Sequence, residues 1–271
     1  MTDDILHPWV DVILANKKYR HLHIPPETVT AILTAEFERI GKIKPAVKST
    51  KEKLHKIFAA YLGDPDYEQA IQCVATRLPQ AAPQEEQAIC EKLLAHHAST
   101  RERLPHLRAF YETILAVTGR PSVILDLACG LHPFGLPWMG LPQTIEYHAY
   151  DLHLPRIELI QTYFSHRYPR SQAHHQDILL DIPTIHADVA FLFKETHRME
   201  KRAKESNVPL WQQLNVDWLV VSLPASSLNQ QHDLREGHRN MVNNLLDKTG
   251  INWQQTLIEV HGEMLFFLQK S

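Results

Sequence analysis

The chain has 271 residues, 44% hydrophobic and 22% charged, and its 28 Lys and Arg against 31 Asp and Glu leave a net charge of −3. That composition fits a globular protein with one substantial core and a smaller second one, and no internal repeat or low-complexity tract interrupts it. No apolar run approaches the ~20 residues needed to span a bilayer, and Met1-Thr2-Asp3-Asp4 lacks the positive start and apolar centre of a secretion signal, so a cytoplasmic protein that engages no membrane is expected.

Up to about Val117 the apolar residues recur at helical spacing. The sets are Ile5, Trp9, Val12 and Ile13, then Val29, Ile32, Leu33, Phe37 and Ile40, then Leu54, Ile57, Phe58 and Tyr61, then Leu104, Leu107, Phe110, Tyr111 and Ile114. Pro25-Pro26, Pro45, Gly63-Asp64-Pro65 and Pro79 to Pro83 punctuate them. An all-helical N-terminal domain over residues 1–117 follows. Its charge departs from that of the rest: Met1 to Lys56 holds ten Lys and Arg against seven Asp and Glu, or +3, leaving 18 against 24, or −6. The cations gather in Lys17-Lys18-Tyr19-Arg20 and at Lys42, Lys44, Lys48, Lys51, Lys53 and Lys56, which makes either a solvated helix face or a surface for a polyanion.

From Ser122 the period changes. Strand-like runs at Val123 to Leu127, Ile145 to Tyr150, Gln172 to His175, Val189 to Phe193 and Trp218 to Leu223 alternate with helical patterns at Pro155 to Tyr168, Glu195 to Leu214 and His232 to Lys248. Alternation of this kind predicts a parallel sheet covered on both faces. Thr256 to Val260 and Met264 to Leu268 are separated only by His261-Gly262-Glu263, too short for a crossover, so they predict an antiparallel hairpin. The second domain, residues 118–271, is therefore α/β with a seven-stranded sheet. Five alternating strands closed by a hairpin is the order of a class I, Rossmann-like methyltransferase.

The ligand edge is legible at Leu125-Asp126-Leu127-Ala128-Cys129-Gly130, where a buried strand ends on an acid, a small residue and a glycine. Asp151, at the end of the next strand, falls where such sheets place a carboxylate on ribose hydroxyls. Gly130 is followed by Leu131-His132-Pro133 with no second glycine to cradle a pyrophosphate, so a nucleoside without phosphates, S-adenosylmethionine, fits better than a dinucleotide. Cys73, Cys90 and Cys129 lack pair spacing, and His21/His23, His96/His97 and His174/His175 form no ligand signature, so neither a disulfide framework nor a metal is expected.

Several stretches together resemble the aminoglycoside-resistance 16S rRNA (guanine-N7) methyltransferases. They are Leu14-Ala15-Asn16-Lys17-Lys18-Tyr19-Arg20, His97-Ala98-Ser99-Thr100-Arg101-Glu102-Arg103-Leu104, Leu125 to Pro133, Gln176-Asp177-Ile178-Leu179, Phe193-Lys194, and Ser222-Leu223-Pro224 with Ser227-Leu228. Two stretches depart from the pattern: Asn229 to Arg239 has no glycine-rich basic loop, and Glu195 to Glu200 has no leucine-rich continuation. The resemblance implies that Arg103 holds the cofactor's carboxylate, which suits a planar guanidinium fork. It assigns the amino acid part to Asp126, Ala128 and Gly130, the ribose to Asp151 with Leu152 beside it, and the adenine to Asp177 and Ile178, with Asp181 a lesser substitute for Asp177.

The acceptor implied is N7 of a guanine in the decoding-site helix of the 30S subunit. That nitrogen holds an in-plane lone pair and no proton, so no general base is expected, and catalysis would come from in-line positioning. The A-form major groove is deep and narrow, so the helix must be distorted or the base extracted, and remote contacts must offset that cost. Lys17, Lys18, Arg20, Lys51 and Lys53 would supply them on rRNA phosphates. Lys194 would meet the target nucleotide or its phosphate, and Arg235 and Arg239 are further rRNA candidates. Trp138, Trp211 and Phe266 suit a core better than a base stack. A monomer suits so large a partner. A different acceptor, such as adenine N1 or a small molecule, and a non-catalytic RNA-binding relative are the alternatives.

Overall fold

The computed structural model describes residues 2–58, 64–227 and 232–270. Tyr61, Gly63, Leu228 and the Asn229 to Gln231 part of the departing loop lie outside the described residues. Within them seven strands form one sheet in the order β3-β2-β1-β4-β5-β7-β6. The strands are β1 (Val123–Leu127), β2 (Glu146–Asp151), β3 (Gln172–His175), β4 (Ala187–Phe193), β5 (Val216–Pro224), β6 (Trp253–Val260) and β7 (Glu263–Lys270). β1 to β5 are parallel, and β7 runs antiparallel between β5 and β6. The expected hairpin is present, and its second strand inserts beside β5.

Burial explains which runs became which strands. β1, β4 and β7 are apolar and buried along most of their length because both faces are covered, while β6 at the edge shows Gln254, Gln255 and Thr256 to solvent. One face packs Phe110, Ile124, Tyr147, Phe164, Val189 and Phe267, and the other packs Leu125, Leu192, Trp211, Val221, Leu245 and Phe266. Trp211 and Phe266 are thus core, and Trp138 packs against it. The helix expected over Glu195 to Leu214 is two, α10 (Thr196–Arg202) and α11 (Asn207–Gln213). Glu200 causes the break, since its carboxylate accepts from the Glu205 and Asn207 backbone N–H groups and so caps α11. α9 (Leu154–Arg167) and α12 (Arg235–Thr249) lie within two or three residues of their expected bounds.

Ahead of the sheet come α1 (Thr2–Leu14), α2 (Pro26–Ile40), α3 (Ile43–Phe58), α4 (Tyr67–Arg77), α5 (Pro83–Leu94), α6 (Ala98–Arg101) and α7 (Leu107–Thr118). They do not form a single packed unit. α1 to α3 share a core of their own around Leu6, Ile13, Val29, Leu33, Val47 and Leu54, whereas Val74, Leu94, Phe110 and Ile114 from α4, α5 and α7 join the core under β1. By packing, the chain divides near Phe58, earlier than the change of period near Val117.

One close contact under the rim is testable. A Cβ at Gly135 would lie 1.9 Å from Tyr111 Oη and 2.8 Å from its Cζ, and Tyr111 is buried with its hydroxyl unpaired. Gly135→Ala should destabilise by about 1–3 kcal/mol through overpacking, lowering the melting temperature by several degrees. Adding Tyr111→Phe removes the deepest overlap and a buried orphan hydroxyl, so thermal denaturation should show part of the stability recovered.

Candidate cofactor and nucleic-acid site

Of the five non-glycine residues with left-handed backbone among the described residues, Ala128 and Lys194 lie at the carboxyl rim of β1 to β4, and His23 and Glu205 lie away from it. Ala128, Gly130 and Lys194 adopt φ of 53°, 56° and 61°, and His261 in the β6–β7 turn has 47°. Left-handed non-glycine residues cost of order 1 kcal/mol or more each and collect where a ligand site over-determines the chain. Gly130 could carry no side chain without pressing on His97 Nδ1, 3.3 Å from an added Cβ. These turns shape a cavity of about 730 Å³, whose walls include Ala128, Asp151, Leu152, Asp177, Ile178 and Met199. A narrow recess beside it is lined by Arg103, Asp126, Ala128, Gly130 and His132, and Ala128 and Glu195 border both. All eight residues expected to meet the cofactor therefore lie along one connected rim.

Their partners differ from expectation. Arg103, 5% exposed, lays its Nε and Nη2 side on Glu263, donates to Ser222 Oγ at 3.1 Å, and stacks between Phe110 and Phe193 at 4.6 and 4.8 Å. Asp151 accepts from Gly130 N and His153 N at 3.0 Å and from Arg156 Nη1 at 2.9 and 3.0 Å. Asp177 is more fully engaged: Thr28 Oγ1, Leu179 N and both terminal nitrogens of Arg202 occupy its oxygens. A carboxylate has about four acceptor positions, so Asp177 as placed has none spare for an adenine amino group. Asp151 can admit a ribose hydroxyl only by loosening its share of Arg156. Ligand contact at either carboxylate therefore needs an arginine to give way, Arg156 at Asp151 and Arg202 at Asp177. Asp181 stays outside the cavity walls, with only its backbone tied, to Asp177 and Gln176.

Electrostatics follow from these partners. Burial alone would raise the Glu263 carboxyl, but Arg103 and Lys194 outweigh it and hold it at about 2. Burial likewise opposes ionisation of Asp151, and Arg156, His153 and two backbone N–H groups reverse that, keeping it below the usual carboxylate range. Arg156 in turn reaches Asp64 at 3.0 Å, which also holds His97 Nε2 at 2.8 Å.

The α3 helix presents cations on two faces. Lys44, Lys48, Lys51 and His55, at helical spacing, line an open recess with Lys18 and Tyr19, and Lys17, Lys18 and Arg20 are exposed beside it. Lys53 stands two positions from Lys51, hence on another face. It pairs with Glu36 at 2.8 Å, donates to the Arg202 carbonyl at 3.1 Å and borders the cavity, apart from the recess of Lys44, Lys48 and Lys51. Lys194 is not free either, being paired with Glu102 at 2.7 Å and Glu263 at 3.5 Å. Arg235 forks onto Glu259 and also meets Asp233, whereas Arg239 is exposed. No group of three or more metal-ligating side chains occurs among the described residues. The residues that sequence reasoning passed over are Glu263, Arg156, Arg202 and Thr28.

Glu263→Gln would leave Arg103 buried without a counter-charge and should cost about 3–5 kcal/mol in chemical denaturation. Stability should also fall with acid in two stages. His153, His174 and His197 are pushed by burial from 6.5 to about 4, so the fold holds them neutral; the stability this gives is full above pH 6.5 and is lost as pH falls towards 4. Glu263, lowered from 4.5 to about 2, adds a loss that begins below pH 4.5. A denaturant midpoint that stayed level from pH 6.5 down to 4.5 would contradict the first stage.

Residues 15–267 match the family described as ribosomal RNA methyltransferase (FmrO). A protein of Frankia casuarinae named 16S rRNA (guanine(1405)-N(7))-methyltransferase is 32% identical over 216 residues, covering 78% of this chain and 76% of its own. One of the same name from Serratia marcescens is 32% identical over 216 residues, with 80% and 79% covered. The solved 16S rRNA methyltransferase RmtF, in complex with S-adenosyl-L-homocysteine, superposes with a TM-score of 0.79 at 26% identity, 98% of each chain being covered. The 16S rRNA methylase RmtB gives the same TM-score, identity and coverage. Matched over nearly its whole length, the chain belongs to the FmrO family of ribosomal RNA methyltransferases.

Proposed function

We propose that this protein transfers a methyl group from S-adenosylmethionine to N7 of a guanine in the decoding-site helix of 16S rRNA, in the position its relatives' names give, and so protects the ribosome from aminoglycosides. The observation that carries this reading is the connected rim: a cavity of about 730 Å³ at the strand ends, joined to a charged recess and overhung by the basic α3. That volume lies in the range of sites for ligands of this size. The donor set fits the cofactor, with Arg103 for a carboxylate, Asp126 for an ammonium group, Asp151 for ribose hydroxyls, and Leu152 and Ile178 as apolar walls for the adenine ring. Adenine contact through Asp177 requires Arg202 to withdraw, so the apolar walls and nearby backbone are the principal adenine contacts in this proposal.

Bound there, S-adenosylmethionine supplies an electrophilic methyl group. The chain's own task is to hold the guanine and exclude water, because N7 already presents its lone pair and needs no base. Positioning of this kind is worth about 7–11 kcal/mol. The recess of Lys18, Lys44, Lys48 and Lys51, with Lys17 and Arg20 beside it, would meet rRNA phosphates and fix the register without reading sequence. Lys194, held by Glu102 and Glu263 at the rim, is placed to exchange a carboxylate for a phosphate as the substrate arrives, and Arg239 is the freer of the two loop candidates. The partner in this reading is the 30S subunit, met in the cytoplasm by a monomer. No helix among the described residues is long and apolar enough to cross a membrane.

Incubating the protein with 30S subunits and labelled S-adenosylmethionine, then reducing the rRNA and cleaving it at the modified base, should yield strand scission at one guanine. A primer-extension stop at an adenine, or no incorporation, would overturn the reading. Charge removal at Lys17, Lys18 and Arg20 should leave cofactor affinity unchanged and weaken subunit binding. It should also make that binding less salt-dependent, the slope falling by about one for each phosphate no longer neutralised.

A further inference from the structure

Asp126 is 1% exposed, and both hydrogen bonds to its side chain fall on the same oxygen. Oδ2 accepts Tyr147 Oη at 2.7 Å and meets His132 Nδ1 at 2.8 Å. Oδ1 has no protein partner among the described residues, yet it is not sealed off, because it is absent from the enclosed orphan atoms while Asp126 lines the narrow recess. His132 is 3% exposed, its ring stands edge-on to Phe193 at 4.7 Å and to Phe191 at 5.7 Å, and its Nε2 is buried with no partner. Its polar contacts are thus confined to Asp126 and, at 3.2 Å, the Tyr147 hydroxyl. Tyr147 is fully buried on β2, opposite Ile124 of β1.

We propose that His132 and Tyr147 are positioning residues for the amino acid end of the cofactor: they converge on Oδ2 of Asp126 and so turn Oδ1 into the recess as a single acceptor for the ammonium group. The inference rests on the cofactor reading above. The physical reason is that a carboxylate rotates about its Cβ–Cγ bond unless its oxygens are made inequivalent, and two donors on one oxygen do that. They also disperse part of the buried charge, leaving the remainder for a charge-assisted bond to the ligand. A fully ligated Asp126 would have no acceptor to offer, and an unpinned one would lose orientation on binding, an entropic cost the free protein has here already met. Neither residue touches the cofactor in this account. Each acts through Asp126.

Two ligands separate this role from simple support of the fold. S-adenosylhomocysteine carries the amino acid end, and 5′-methylthioadenosine shares the nucleoside but lacks that end. Calorimetric titration of the full chain should show His132→Ala and Tyr147→Phe losing about tenfold in affinity for S-adenosylhomocysteine while staying within about twofold for methylthioadenosine. His132→Asn, which restores a donor near the Nδ1 position, should recover most of the affinity. Tyr147→Phe and His132→Asn keep the buried shape, so the comparison survives if the alanine variant fails to fold. Equal losses for both ligands would show a merely structural role, and unchanged affinities would show that Asp126 needs no pinning; either overturns the proposal. If the unaltered protein bound neither ligand, the cofactor reading would fall, and this inference with it. If it bound both equally well, only the Asp126 subsite would be wrong.

Discussion

The rim depends on one constraint: a carboxylate removed from water must be met by positive charge or by N–H and O–H donors. Asp126, Asp151, Asp177 and Glu263 are all at most 8% exposed, and each is met from a different direction. Glu263 is met by Arg103 from the turn before α7, Asp151 by Arg156 of α9, Asp177 by Arg202 of α10 and Thr28 of α2, and Asp126 by a tyrosine and a histidine. Such pairs are weak evidence for stability, because desolvation takes back much of the Coulombic gain. Their contribution is geometric. They hold the ends of β1, β2 and β7, the loop after β3 and the flanking helices in one register around the cavity.

The same pairs bring the front helices to the site. Thr28 to Asp177, Lys53 to the Arg202 carbonyl, and Arg198 to the Lys56 and Ile57 carbonyls tie α2 and α3 to the loop after β3 and to α10. One helix therefore does two jobs. The face of α3 bearing Lys53, Lys56 and Ile57 closes the cavity, and the face bearing Lys44, Lys48 and Lys51 faces outward as a basic recess.

What the sequence disclosed follows from the range of the interactions concerned. β1 and β4 were legible because strands covered on both faces demand nearly unbroken apolar runs, and the hairpin because three residues cannot make a crossover. The turn at Ala128 to Gly130 and the acid at Asp151 were legible because backbone geometry needs small residues there. That Lys51 and Lys53 serve different recesses is legible too, since residues two apart on a helix point different ways. The pairing of Arg103 with Glu263 is not legible, because 160 residues separate them and neither is flanked by a local pattern. The same holds for Asp177 with Arg202, 25 apart across β4 and the length of α10. The break itself arose from the Glu200 side chain capping α11, a tertiary choice that helical periodicity alone does not carry.

What we propose is a matter of place: the donor would sit between the carboxyl rim and the α3 face. Ultraviolet cross-linking of methyl-labelled S-adenosylmethionine to the protein, followed by peptide mapping, tests that most directly. The label should fall on peptides containing Ala128 to His132, Asp151-Leu152, Asp177 to Leu179 or Lys53 to Phe58, and excess S-adenosylhomocysteine should abolish it. Competed label confined to peptides outside these walls, such as those of the α12 helix or the β6 edge, would contradict the account.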